Sequence, residues 1–153
     1  MKKLIGIVIL AVTMTAASAM AFTETSTIVV SANVSATCRI TSVNDVNFGT
    51  YDPTDDSADD IDGVGQANFR CTKGVNYDAY FARTGNMSDG SNSLAYQLYP
   101  DNTYTTELAD AASAPVASTT NAVQTIDIYG LIPKAQDVPA GAYSENVTFT
   151  IDY

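Results

Sequence analysis

Cys38 and Cys71 are the side chains whose type points most directly to defined covalent chemistry in this sequence, and they are its only cysteines. In an oxidising compartment two such thiols pair, and closing a loop of about 33 residues stabilises a fold by roughly 3–4 kcal/mol in the chain-entropy model. Histidine is absent. The side chain used most often as general base, nucleophile activator or zinc ligand is therefore missing, and the enzyme classes built on it are excluded. No catalytic, metal or cofactor residue is assigned.

Three weaker constellations remain. Asp55, Asp56, Asp59, Asp60 and Asp62 crowd one stretch, and Asp60-Ile61-Asp62-Gly63 echoes part of a calcium-binding loop. The echo fails in detail. With Gly63 as the loop glycine, Ala58 falls at the first acidic ligand position and Phe69 at the closing glutamate. The stretch reads as a solvated acidic loop. A glycosidase needs only two carboxylates, but nothing in the pattern selects a pair or surrounds one with apolar residues that would raise its pKa. Tyr77, Tyr80, Tyr96, Tyr99 and Tyr104 could line a sugar platform, yet aromatic residues are also what strand faces prefer, and core or sheet surface is the better reading. Three matches to the glycosylation pattern, at Asn33, Asn86 and Asn146, are treated as chance.

The compartment follows from the first residues. Lys2 and Lys3 precede an apolar run and then small residues, the pattern of a secretory signal, with cleavage expected after Ala21. The apolar core falls short of the roughly 20 residues that span a bilayer. Cleavage after residue 21 of 153 leaves 132 residues, enough for one domain with a real core. Five basic residues then face 17 acidic ones, a net charge of −12, which disfavours nucleic acid as a partner.

The elements that must carry these residues are strands. No apolar pattern persists at helical spacing, whereas short β-branched and aromatic runs recur between Gly, Asn, Asp and Pro, so the fold class is all-β. Residues 22–34 alternate with Ile28, Val30, Ala32 and Val34 on one side. Strands are expected at 38–40, 43–48, 67–72, 77–83, 94–99 and 123–132, with a hairpin partner at 104–108. Residues 85–93 read as turns and 109–121 as a loop. A last strand from Tyr143 places Val147, Phe149, Ile151 and Tyr153 on one face. Open terminal strands are adhesive unless covered.

Several separated pieces together resemble the spore coat protein U domain family, which also forms the subunits of archaic chaperone-usher pili. They are Ser35-Ala36-Thr37-Cys38, Val46-Asn47-Phe48-Gly49-Thr50-Tyr51-Asp52-Pro53, Phe69-Arg70-Cys71-Thr72-Lys73-Gly74, Leu94-Ala95-Tyr96-Gln97-Leu98-Tyr99, and Ile128-Tyr129-Gly130-Leu131-Ile132-Pro133-Lys134-Ala135-Gln136 leading into Ala140-Gly141-Ala142-Tyr143. The resemblance implies an incomplete immunoglobulin-like sandwich completed by donor-strand complementation. In that organisation residues 1–21 are the signal peptide, 22–34 the donor strand and 35–153 the sandwich. Ile28, Val30, Ala32 and Val34 would fill a neighbour's groove, and Val147, Phe149, Ile151 and Tyr153 would line the acceptor groove and meet a chaperone. The implied partners are copies of itself or sister subunits, a periplasmic chaperone and an outer-membrane usher. The implied location is the periplasm in transit and then a cell-surface pilus supporting attachment and biofilm formation. A secreted coat or matrix protein that covers its own groove is the alternative.

Overall fold

The computed structural model describes residues 20–61 and 63–153, so residues 1–19 of the expected leader and Asp62 of the acidic stretch lie outside it. The chain divides into two units, Met1–Asn33 and Val34–Tyr153. In the first, residues 20–33 form neither helix nor strand, and their apolar side chains stand exposed, Ile28 at 85% and Val30 at 92%.

The second unit is all-β, with no helix among the described residues. Its strands are β1 (Cys38–Asn44), β2 (Val64–Cys71), β3 (Asn76–Ala82), β4 (Asn86–Ser88), β5 (Ser93–Ala95), β6 (Gln97–Tyr99), β7 (Val116–Ala117), β8 (Gln124–Leu131) and β9 (Thr148–Asp152). One sheet runs in the order β1-β2-β8-β6 and a second in the order β7-β3-β9, while β4 and β5 form a short ribbon. Every ladder is antiparallel.

Period-two alternation explains how the sheets face each other. Along β2 the residues Ala67, Phe69 and Cys71 are buried while those between them are not. Phe69 meets Tyr77 of β3 edge-on at 5.2 Å and Phe149 of β9 at 6.0 Å, and Phe149 stacks on Phe81 at 4.8 Å. These rings join the two sheets over a core completed by Leu94, Leu98, Ile128 and Ile132. The architecture fits an immunoglobulin-like sandwich, with Cys38 and Cys71 directly opposite in the β1–β2 ladder and joined as a disulfide.

Several elements differ from the sequence reading. β1 stops at Asn44, so residues 46–48 are not a strand. Val46 and Phe48 instead lie over Gly63, Gly65 and Gly130, where any added Cβ would collide with them. The run 94–99 is two strands in different sheets. The break comes where the Gln136 side chain takes the place of a strand partner, donating to the Ala95 carbonyl at 2.9 Å and accepting from its N–H at 2.8 Å. Leu108 donates to the Leu98 carbonyl without forming a hairpin strand. The turn-rich stretch 85–93 holds β4, and the loop 109–121 holds β7. Asp78 in β3 is buried and accepts a hydrogen bond from the Ser113 N–H. The last strand begins at Thr148 rather than Tyr143, because Ser144 pairs with Ser88 instead.

Candidate functional site

Opposite residues in an antiparallel ladder point to the same side of the sheet. Ile40 faces Phe69 and Val43 faces Ala67, and a bulge between Ile40 and Ser42 brings both of these β1 side chains to the core side despite their spacing of three. Their partners are sealed, Phe69 at 1% exposure and Ala67 at 0%. Ile40 and Val43 are not: they stand 43% and 57% exposed. Two inward-pointing apolar side chains thus lack the covering layer that their neighbours have.

The gap they face is a groove of about 690 Å³. One wall is β1 with Val46 and Phe48, the other is β9 with Val147 and Phe149, and Ala67, Phe81 and Leu98 lie between them. Within the described residues of 34–153, β1 pairs only with β2 and β9 only with β3, so both walls present an open strand edge to the groove. A hollow of about 420 Å³ shares Val46, Phe48 and Met87 with the groove and extends it toward Tyr143.

Glu145 sets one end of the groove. Its carboxylate accepts hydrogen bonds from the N–H groups of Thr84 and Asn86 and from the Tyr96 hydroxyl. Burial works to raise its pKa, but these donors together outweigh burial and hold it below the usual glutamate value. Burial, reinforced by the Glu145 charge and hydrogen bond, pushes the Tyr96 phenol well above its ordinary value. The pair fastens the start of the last strand to the turn after β3, leaving a fixed negative charge where the apolar walls end.

Of the four residues expected along an acceptor groove, Val147 and Phe149 line this groove. Ile151 lies opposite Ala79 further along β9, half-buried, and Tyr153 is exposed. Ile40, Val43, Val46 and Phe48 were missed. Their signal was present in the sequence, but the bulge breaks the alternation that would have exposed it. Ile28, Val30 and Ala32 lie in the first unit and are exposed, and Val34 is exposed at the start of the second.

The remaining constellations are structural. Among the described residues no group of three or more histidine, cysteine, aspartate or glutamate side chains is placed to hold a metal. Asp52 accepts from Thr54, Asp55 from Ser57 and Asp59 from the Lys134 N–H, while the Asp60 backbone bridges to Ile132, so the acidic stretch is stitched into turns and the end of β8. The tyrosines form no single platform, although Tyr99 and Tyr104 meet edge-on at 5.3 Å. Tyr96 and Tyr99 are core residues, and the Tyr77 hydroxyl donates to Gln124.

A sandwich with a disulfide across its first ladder and an apolar groove between two unpaired edges defines a structural β-domain with a site shaped for an extended strand. The chain belongs to the Spore Coat Protein U domain family, whose model matches residues 24–150, and this is the family of archaic chaperone-usher pilus subunits. It is a family of exported pilus or coat proteins that assemble with other subunits, and it is not an enzymatic one. A comparison with curated proteins gave no match. Among the described residues no helix is long and apolar enough to cross a membrane.

Proposed function

We propose that this protein is a structural subunit of an archaic chaperone-usher pilus and polymerises by donor-strand exchange. After removal of residues 1–21, the segment 22–34 of one copy lies in the groove of another, with Ile28, Val30, Ala32 and Val34 turned inward against Ile40, Val43, Val147 and Phe149. A periplasmic chaperone holds the groove until an outer-membrane usher passes the subunit to the growing fibre. The fibre stands at the cell surface and supports attachment and biofilm formation, and the subunit performs no catalysis.

The observation that carries this reading is the exposure of Ile40 and Val43 opposite the sealed Phe69 and Ala67. A strand inserted between β1 and β9 covers both and supplies backbone partners to both open edges. Four donor side chains contribute about 1.5–3 kcal/mol each, less for Ala32, and each ladder bond about 1 kcal/mol. Even after ordering costs, the contact is durable. Protein recovered from the periplasm or cell surface should run as a ladder when unboiled and as a monomer after boiling. Deleting residues 22–30, or introducing Ile28→Asp with Val30→Asp, should abolish the ladder. A wild-type protein that runs only as a monomer would instead favour a self-covered coat or matrix protein.

A further inference from the structure

Outside residues 1–21 the sequence holds five cationic side chains, Arg39, Arg70, Lys73, Arg83 and Lys134. Arg83 is committed: it pairs with Glu107 at 3.3 Å and donates to the carbonyls of Phe81 and Leu108. Arg39 and Arg70 have a different setting. They stand directly opposite each other across the β1–β2 ladder, both exposed, beside a hollow of about 440 Å³ that Thr37 and Thr72 also line. Like charges placed directly opposite on one face repel. Neither forms an ion pair with a described residue. The residues lining the hollow beside them include no carboxylate, while the sequence as a whole carries 17 acidic side chains, so a second copy offers partners of opposite sign.

We propose that Arg39 and Arg70 clasp the acidic end of the groove on the copy that receives this subunit's N-terminal segment, a second contact between the same two subunits. This inference rests on the strand exchange proposed above. Arg39 lies five residues after Val34, at most about 17 Å of extended chain. A segment seated as far as Val34 therefore keeps Arg39 within that reach of the rim of the groove it occupies.

The two ends of that groove differ in charge. β1 begins where β9 ends, because Cys38 pairs with Cys71, the chain passes from Cys71 to β3, and Asp78 near the start of β3 pairs with Asp152. This end carries Arg39 and Arg70 themselves. At the other end β1 finishes and β9 begins, and Asp45 and Glu145 line the groove there. β1 and β9 run in opposite directions along the groove, so a donor antiparallel to β9 lies parallel to β1 and leaves the groove at the Asp45 and Glu145 end. Cationic pair then meets anionic rim. The opposite direction would press one arginine pair against another, so the charges favour this orientation and select against the reverse.

The test uses polymers of the full mature protein carrying Arg39→Lys and Arg70→Lys, which keep the charge and supply amines. A zero-length carbodiimide joins amines to carboxylates in direct contact, and peptide mass spectrometry locates each link. We expect boil-resistant dimers in which position 39 or 70 is joined to Asp45 or Glu145, reduced at least tenfold when Asp45→Asn and Glu145→Gln are also introduced. An intact unboiled ladder with no link from position 39 or 70 to either carboxylate overturns the clasp and leaves strand exchange standing. Absence of the ladder in untreated wild-type protein overturns both.

Discussion

Gly130 has no room for a methyl group: a Cβ built there overlaps the Phe48 ring, and one at Gly63 would sit 2.7 Å from the same ring. Only a bare backbone lets the 46–48 segment lie flat across β8 and the approach to β2. Gly130→Ala should therefore displace Phe48 and lower stability by about 1–3 kcal/mol, read from the urea midpoint of the purified protein. A change under about 0.5 kcal/mol would show that Phe48 is not held as described. The pieces Val46-Asn47-Phe48-Gly49 and Ile128-Tyr129-Gly130 were legible in the sequence, but not their contact, because it joins positions about 80 residues apart. Tyr51 and Gln136 repeat the lesson. The Tyr51 hydroxyl donates to the Pro133 carbonyl and accepts from the Gln136 N–H, a link that no local pattern announces.

At the scale of elements, β2 and β8 were legible because each buries alternate residues under a covering layer, and period two survives in their sequences, whereas β3 buries Asp78 and Phe81 at a spacing of three and was legible from its aromatic alternation alone. β1 was harder. Its bulge puts Ile40 and Val43 on one face at a spacing of three, which reads as the end of one strand and the start of another. β9 was overextended because Tyr143 and Val147 continue the alternation in sequence, while Ser144 is drawn aside to Ser88. β1 is paired along one edge only, and most of its side chains are open. The disulfide fastens its first residue to the last of β2, at the point where any pull on the N-terminal segment reaches the sandwich. Replacing both cysteines, Cys38→Ser with Cys71→Ser, should cost roughly 3–4 kcal/mol in denaturant unfolding of the monomer. It should also make the polymer ladder collapse at lower denaturant than wild type. A loss below about 1 kcal/mol would mean that β1 is held by its ladder alone.

At the scale of the whole molecule, all-β class, the disulfide and the family followed from composition, cysteine usage and separated motifs, and the sandwich agrees with each. The resemblance implied a groove along the last strand, but the wall facing it, Ile40, Val43, Val46 and Phe48, did not follow, because the groove is a relation between two strands more than 100 residues apart and depends on which faces stay uncovered. Its apolar walls, its two open edges and the exposed alternating segment at residues 28–34 together support the proposal that one molecule completes another. Hydrogen exchange on the wild-type mature protein, compared between isolated monomer and polymer, addresses that claim directly. Amides of residues 28–34 should exchange freely in the monomer and become strongly protected in the polymer, together with the outer-edge amides of β1 and β9. A soluble monomer in which residues 28–34 are already protected to the same degree would contradict the proposal.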